Sequence, residues 1–303
     1  MDNTRNHVTP TTPTASTTPT TPTTPTTSTT LVIGATGKTG SRVVARLRDL
    51  GAPVKPASRS SETYFDWTDP DSWVEALSGI DATYITYFPD LALPGAAETV
   101  RSFVDVALDQ GVRRHVLLAG RGEQGAERAE RLVMESGADW TILRCGFFAQ
   151  NFSEIFADPI RAGIMAMPEA AGPDPFLDID DVADVAVAAL TDDSHIGRLH
   201  ELTGPRVVTM EQVADILSDA IGRPVRYTPM PHDAYTAELV DAGLPAEVAG
   251  HLTDVIAEAL DGRNARVTNG VEQVLGRPAR DFADYARNAA ATGAWAPTAT
   301  LAV

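Results

Sequence analysis

Short apolar segments alternate with amphipathic ones along the chain from Thr30 to about residue 144. The first apolar run, at 31–33, ends in glycines and is followed at once by an amphipathic segment at 41–50. This order predicts a strand, a tight turn and a helix. The same patterns predict strands at 53–58, 64–66, 82–87, 114–119 and 139–143, and helices at about 95–110 and 125–136. Such alternation is typical of β-α units, so we predict an α/β fold with a doubly wound parallel sheet of the Rossmann type.

The regular alternation breaks beyond Arg144, where four prolines between 159 and 175 predict a loop-rich stretch. Later segments predict a helix at 180–190, a strand at 199–202, a helix to 221 that Thr209 caps, a strand at 225–228, and two or three helices up to about 291. We predict a dinucleotide-binding domain at 30–150. A smaller α+β substrate lobe, mostly C-terminal, follows at 151–303 and returns to the first domain around 176–203.

Residues 1–29 consist almost wholly of Thr, Pro and Ser. A segment with so few apolar side chains cannot offset the entropy lost on ordering, so we predict a disordered extension with no part in the chemistry. A glycosylated stalk has a similar composition and is the alternative.

The charge and the cysteine count exclude several kinds of protein. A net charge of −17 argues against nucleic acid and anionic membranes as partners, since both require a basic surface. Cys145 is the single cysteine, so no intramolecular disulfide can form. No apolar stretch approaches the length of a membrane span, and no secretory signal is apparent. The histidines are scattered without metal-ligand spacing. We expect a cytoplasmic protein with a small-molecule substrate and no metal; the oligomeric state stays open.

Three glycines follow the first predicted strand at intervals of three residues. Gly34 allows a sharp exit from the strand, Gly37 removes a Cβ that would block a diphosphate, and Gly40 lets the helix approach the sheet. The helix N-terminus then presents free N–H groups and a positive dipole end to the phosphates. A glycine-rich turn without a ligand is the alternative, but the flanking strand and helix favour a nucleotide site.

The second predicted strand ends at Ser58, Arg59 and Ser60. Arg59 lies 19 residues after Gly40, the last glycine of the turn. An arginine at this distance recognises a 2′-phosphate, where an acidic residue would bind the free ribose. We therefore predict NADP(H) as the cofactor, with Lys38 adding charge near the same phosphate. A solvated surface arginine is the alternative.

Two further strand ends carry candidate contacts. An aspartate at 66 can accept a hydrogen bond from the adenine amino group, although a helix-entry loop explains it equally well. Aromatic residues end the fourth strand at the edge where ligands bind in such sheets, although they could belong to the core. The predicted cofactor-binding residues of these segments are Gly34, Thr36, Gly37, Lys38, Thr39, Gly40, Ser58, Arg59, Ser60, Asp66, Trp67, Thr86, Tyr87 and Phe88.

The sequence contains only two lysines, Lys38 and Lys55, and glycines stand four positions before each. A Tyr-x-x-x-Lys pair, in which the ammonium lowers the tyrosine pKa, therefore cannot exist in this chain. If a proton donor is needed, Tyr87 and Tyr235 are weak candidates.

The glycine turn, Arg59 and above all the run Thr-Ile-Leu-Arg-Cys-Gly-Phe-Phe-Ala-Gln-Asn-Phe at 141–152 resemble the NmrA-like branch of atypical short-chain dehydrogenases/reductases. The chain is most similar to reductases of the agroclavine dehydrogenase type. The resemblance implies that Gly146, Phe147 and Phe148 lie beside the nicotinamide. Many members carry a lysine where this chain has Ala126. The reductases of this type lack the tyrosine-lysine acid and reduce an already electrophilic iminium.

We therefore predict an NADPH-dependent reductase of an imine, iminium, quinone or enone, active in secondary metabolism. Such substrates accept hydride in a well-oriented, dry pocket, and the redox chemistry resides in the cofactor. The alternative is a non-catalytic NADP(H)-sensing regulator of the NmrA-like type. An isomerase or lyase on the same fold ranks last.

Overall fold

A computed structural model describes residues 28–296 of the chain. The Thr/Pro-rich extension predicted at 1–29 therefore lies outside the described residues, apart from its last two positions. The strands are β1 (Thr30–Ile33), β2 (Val54–Ser58), β3 (Thr63–Tyr64), β4 (Ala82–Ile85), β5 (Arg114–Gly120), β6 (Asp139–Cys145), β7 (Ile164–Pro168), β8 (Arg198–Leu202) and β9 (Arg226–Met230). The helices are α1 (Lys38–Asp49), α2 (Asp71–Ala76), α3 (Ala96–Asp109), α4 (Gln124–Met134), α5 (Ala157–Arg161), α6 (Ile179–Thr191), α7 (Met210–Ile221), α8 (His232–Asp241), α9 (Ala246–Ala259), α10 (Gly270–Leu275) and α11 (Phe282–Ala291).

The main sheet has seven strands in the order β3-β2-β1-β4-β5-β6-β8, and every neighbouring pair is parallel. The strand order reverses between β1 and β4, which makes the crevice at their carboxyl ends the expected ligand site of a doubly wound sheet. The structure thus confirms the predicted fold class.

Both faces of this sheet are covered by helices. In β1, Leu31 and Ile33 pack toward α2, α3 and α4, whereas Val32 packs toward α1 and α6. Successive side chains of a strand point to opposite faces, so a strand buried on both sides is apolar at consecutive positions. This is why β1 appears in the sequence as a continuous apolar run.

A second cluster of apolar side chains surrounds the parallel pair β7 and β9. Aromatic side chains dominate it: Phe152 packs edge-on against Phe176 and Phe282, with ring centroids 5.2 Å apart in both cases. The indole N–H of Trp295 donates to the backbone oxygen of Phe152 over 2.9 Å. The domain boundary at residue 150 stays a prediction.

Several elements differ from the predictions. Helix α1 begins at Lys38 instead of residue 41, so Lys38, Thr39 and Gly40 are helical. Strand β3 comprises only Thr63–Tyr64, before the aspartate at 66. The stretch predicted to be loop-rich contains a short 3-10 helix at Ala149–Ser153, α5 and β7. Within residues 28–296, four helices follow β9, because long-range packing supports short segments with weak periodicity.

Candidate functional site

The glycine turn joins β1 to α1 at the point where the strand order reverses. Gly34 has a φ of 72°, a conformation that side chains other than glycine rarely adopt. A Cβ at Gly40 would overlap the carbonyl oxygen of Gly34, and one at Gly37 would lie 3.2 Å from it. The turn also contacts both neighbouring strands: the Ala35 N–H donates to Ala57 O over 3.1 Å, and the Thr86 hydroxyl donates to Ile33 O over 3.0 Å.

At the end of β2, three serine hydroxyls cluster beside Arg59. Ser58 Oγ lies 2.7 Å from Ser61 Oγ and 3.4 Å from Ser60 Oγ. The side chain of Arg59 is exposed, and its guanidinium lies 4.9 Å from the centre of the Phe88 ring. Phe88 itself is 62% exposed. The structure therefore brings the predicted phosphate-recognising arginine next to the aromatic residue that follows β4.

Asp66 and Trp67 have different surroundings. The Asp66 carboxylate accepts bonds from the backbone N–H and the hydroxyl of Thr68, each 2.9 Å long. These bonds and the charge of Arg59 hold the pKa of Asp66 below its usual range. Trp67 is buried, its indole N–H donates to Thr86 O over 3.1 Å, and its ring centre lies 5.0 Å from that of Tyr87. Trp67 thus supports the segment after β4.

Lys38, at the first position of α1, reaches across to the segment that follows β6. Its ammonium donates to Asn151 Oδ1 over 2.8 Å and forms a salt bridge of 2.6 Å with Glu154. The neighbouring side chain of Thr39 is buried. The interpretation that Lys38 adds charge beside Arg59 is untested, but the contacts of this side chain are with the other side of the crevice.

The segment Gly146-Phe147-Phe148 leaves β6 at the carboxyl edge of the sheet. The Gly146 N–H donates to Leu202 O over 2.9 Å, and Phe147 O accepts from the Leu177 N–H over 2.9 Å. The Phe147 ring packs on Phe156 and Phe176. The backbone is therefore held on both sides, while this segment also borders an open cleft.

This cleft, with a volume of about 300 Å³, brings together residues that follow β4, β5 and β6. Five of the predicted residues line it: Thr86, Tyr87, Gly146, Phe147 and Phe148. Tyr235 does not line it; it is 4% exposed within the aromatic cluster of the second lobe, and burial raises its pKa to about 12. Of the two candidate donors, the structure brings only Tyr87 to the cleft.

Several lining residues were missed from the sequence. Arg121 and Glu123 follow β5, and the general tendency of ligands to bind at strand carboxyl ends could have indicated them. Val255 and Asn264 come from α9 and the loop behind it, and no motif marks them. Asn151 lay inside the run at 141–152 but was not assigned a role.

Two carboxyl groups near the cleft have strongly raised pKa values. Burial, which is the largest cause, and the charges of Asp90, Glu258 and Glu130 together raise the pKa of Glu123 to about 7. Burial also raises the pKa of Asp174 to about 7, although the charge of Arg121 and a bond from the Phe147 N–H act to lower it. Only Glu123 lines the cleft.

The Cys145 thiol also borders the cleft, and burial raises its pKa well above the usual range, so it stays protonated. Such a thiol is not a nucleophile.

The residues at the crevice fit a dinucleotide. A Cβ at Gly37, the N-cap residue of α1, would meet only Gly34 O within 4 Å. Among residues 28–296 no side chain caps that N-terminus, and α1 has no acidic residue in its first turn. Within residues 28–296, no group of three or more His, Cys, Asp or Glu side chains is placed to hold a metal ion. No helix in the same range is both long and apolar enough to span a bilayer.

Comparisons with known proteins agree with this geometry. A model of the NmrA-like family matches residues 127–285, and an NAD(P)H-binding model matches residues 34–193. The NAD(P)H azoreductase of Xenophilus azovorans is 32% identical over 278 residues, which cover 84% of this chain and 96% of the azoreductase. The agroclavine dehydrogenase of Claviceps fusiformis is 31% identical over 268 residues, 82% of this chain and 92% of its own.

Among solved structures, the chain resembles an NADPH-dependent quinone oxidoreductase from Escherichia coli, complexed with NADPH. The TM-score is 0.74 at 21% identity, with 86% of this chain and 99% of the oxidoreductase covered. At this identity the likeness concerns the fold.

Proposed function

The chain belongs to the NmrA-like family, and from this premise we propose that it is an NADPH-dependent reductase that delivers hydride to an electrophilic double bond. Relatives that share about a third of their residues with it are NAD(P)H-dependent oxidoreductases, so the chain is an enzyme of that general kind. The single observation that carries the proposal is the cleft at the carboxyl edge of the sheet, which Thr86, Tyr87 and Phe147 line. The Thr86 hydroxyl joins this cleft to the end of β1, directly before the glycine turn.

The preference for NADPH over NADH rests on Arg59. Its exposed side chain directly follows Ser58 and precedes Ser60 at the end of β2, and this strand is joined to the glycine turn by the bond between Ala35 and Ala57. A planar guanidinium and hydroxyl donors suit a phosphate monoester. The nearby carboxylate of Asp66 is negatively charged and would repel a phosphate, so Arg59 is the charged group that would meet a 2′-phosphate.

The substrate class follows from the chemistry of the cleft. An imine, an iminium, a quinone or an enone accepts hydride without prior activation by a tyrosine-lysine pair, which this chain lacks. The similarity to an NAD(P)H azoreductase supports electron-poor double bonds in general. The place of the reaction in secondary metabolism and the cytoplasmic location are parts of the same proposal.

Different residues would bind the cofactor and orient the substrate. Gly34, Gly37 and Gly40 would hold the diphosphate at the N-terminus of α1, and Arg59 would bind the 2′-phosphate. Tyr87, Phe147 and Phe148 would orient the nicotinamide and the substrate and exclude water. When bound, the cofactor supplies the hydride.

The direct test is the oxidation of NADPH, followed by its absorbance, with a panel of imines, quinones and azo compounds. We expect turnover with at least one class and a lower KM for NADPH than for NADH. Tight binding of NADPH without turnover on any electrophile would favour the alternative, a regulator that senses the dinucleotide.

A further inference from the structure

Glu123 lies between two cavities. It lines the cleft together with Tyr87 and Phe147, and it also lines an adjoining cavity of about 400 Å³ whose other walls include Asp90 and Glu258. The residue directly precedes α4, at the carboxyl end of β5. Glu123 thus lies on the wall shared by the reaction cleft and a second, polar cavity.

Two glycines allow close packing around Glu123: Gly120 leaves the space that its carboxyl group occupies, and Gly125 lets the loop at Ala92 approach the start of α4. A Cβ at Gly120 would overlap Glu123 Oε2, and a Cβ at Gly125 would overlap the carbonyl oxygen of Ala92. The carboxyl group therefore lies directly on the backbone of β5, and the loop that carries Asp90 packs closely against the start of α4. Although Glu123 is the N-cap residue of α4, its side chain makes no capping bond, so the carboxyl group is not committed to the helix.

The charges around Glu123 are mostly negative. Asp90 faces it from the loop after β4, Glu258 from α9 and Glu130 from α4. Glu130 is neutralised by Arg144, whose Nε donates to Glu130 Oε1 over 2.9 Å.

The nearby arginines have other partners. Arg121 Nε donates to Glu201 over 2.5 Å, and Arg263 pairs with Asp261 and, over 3.4 Å, with Glu258. Burial and like charges together raise the pKa of Glu123 to about 7, and no arginine among residues 28–296 is bonded to it, so a large share of this carboxyl group is protonated at neutral pH.

We propose that Glu123 is the general acid of the reductase, which donates a proton to the substrate atom that receives the electron pair. This inference rests on the proposed function. It assigns to a carboxyl group after β5 the task that the tyrosine-lysine pair performs in other short-chain reductases.

The protons and electrons of the proposed reduction balance as follows. One atom of the substrate double bond gains a hydride from NADPH, and a new bond to hydrogen forms there while NADPH becomes NADP⁺. The π electron pair moves to the other atom, which takes the proton of Glu123 and leaves that residue as a carboxylate. The second cavity, lined by Asp90 and Glu258, would let a proton from the solvent return to Glu123. The net change is the addition of two hydrogen atoms to the substrate.

The test compares two substrates that differ in their need for a proton. Menadione must gain a proton to yield the hydroquinone, whereas an N-methyldihydroisoquinolinium ion accepts hydride at carbon and needs none. At a pH below 7, the Glu123→Gln variant should reduce menadione about 100-fold more slowly in single turnovers. Its rate with the N-methyl iminium ion should stay within about twofold of wild type, because glutamine resembles the protonated acid. Glu135→Gln, an exposed residue after the same helix, is the control for loss of one charge.

Two further readouts separate an acid from a merely structural residue. The wild-type rate with menadione should fall as the pH rises through about 7, and this limb should vanish in Glu123→Gln. Independently of activity, carbon NMR of glutamate-labelled protein without cofactor should show one carboxyl signal that titrates near pH 7 and is lost in Glu123→Gln.

Three results would overturn the proposal: equal losses with both substrates, an unchanged rate and pH profile in the variant, or a Glu123 signal that titrates in the ordinary range of glutamate. If the wild-type protein oxidises NADPH with neither compound nor any other electrophile, the proposed function fails first and the role of Glu123 falls with it. Turnover by the wild type with no effect of the variant removes the role of Glu123 alone.

Discussion

The ammonium of Lys38 donates a hydrogen bond of 2.8 Å to the side-chain oxygen of Asn151. This contact joins the first residue of α1, next to the glycine turn, to the segment that leads from β6 into the second lobe. Because Glu154 pairs with the same ammonium over 2.6 Å, the charge of Lys38 is held on this side of the crevice. Its position suits a diphosphate at the helix N-terminus better than a 2′-phosphate beside Arg59.

Replacement of Lys38 by Met should therefore lower the affinity for NADPH and for NADH by about tenfold each, because both cofactors carry the diphosphate. Calorimetric titration of the two dinucleotides measures this directly. Lys55→Met is the matched control, since Lys55 binds the carbonyl oxygens of Glu75 and Ser78. A loss confined to NADPH would restore the original assignment of Lys38 to the 2′-phosphate.

Replacement of Arg59 by Asp should reverse the cofactor preference. The guanidinium that meets the 2′-phosphate is lost and a carboxylate that can accept from the ribose is gained, so affinity for NADPH should fall by about tenfold to a hundredfold while NADH binds as well or better. Dissociation constants for both dinucleotides check this. Arg48→Asp, with the same change of charge at the exposed end of α1, should leave the preference unaltered. An unchanged ratio in Arg59→Asp would refute the NADPH assignment.

Replacement of Gly40 by Ala should destabilise the fold and impair dinucleotide binding together. The new Cβ overlaps the backbone oxygen of Gly34, and backbone cannot rotate away as a side chain does. Overpacking of this kind costs about 1–3 kcal/mol of unfolding free energy. Urea denaturation measures it. Gly250→Ala, in α9 with open space around the new Cβ, should instead stabilise the protein by about 0.5–1 kcal/mol. Equal effects at the two sites would contradict the close approach of α1 to the turn.

The buried His115 should make the protein less stable in mild acid. Its ring is fully buried, with Nδ1 2.8 Å from the hydroxyl of Thr83, and burial lowers its pKa to about 4. In the unfolded chain, His115 binds a proton at pH values below about 6.5. In the folded protein it does not bind that proton until about pH 4. The free energy of unfolding should therefore fall as the pH drops below about 6.5, by at most about 3 kcal/mol.

Urea denaturation between pH 7 and 5 tests this dependence. His115→Asn, whose amide retains a partner for Thr83, should show a shallower loss of stability than wild type, whereas the exposed His251→Asn should follow wild type. Identical slopes in wild type and His115→Asn would show that the ring titrates normally in the folded state.

The order of strands and helices was predictable because each signal is local. The alternation of buried runs and amphipathic segments predicted six strands of the sheet, and the strand predicted at 199–202 became β8. The cap at Thr209 likewise formed as predicted, since its hydroxyl accepts from the Gln212 N–H over 3.2 Å. The structure adds the reciprocal bond, in which the Gln212 side chain accepts from the Thr209 N–H over 3.0 Å. Such bonds join residues three apart, so they depend little on the rest of the molecule.

The 3-10 helix at Ala149–Ser153, α5 and β7 were not predictable in the same way. These elements are short, and prolines within them point to loops. They form because β7 pairs with β9, about sixty residues away, and because Phe152 packs among aromatic rings from distant segments. Propensity is a weak guide where tertiary packing supplies most of the stability.

The sequence by itself determined the glycine turn, the arginine after β2 and the lack of a tyrosine-lysine acid, since these depend on residue types at fixed spacings along one strand, one turn and one helix. Only the tertiary structure decided that Lys38 reaches Asn151, that Tyr235 is buried away from the cleft, and that Glu123 lies between two cavities beside Asp90 and Glu258. The physical reason is that these neighbours are far apart in the chain, and the packing of several elements at once sets their distances.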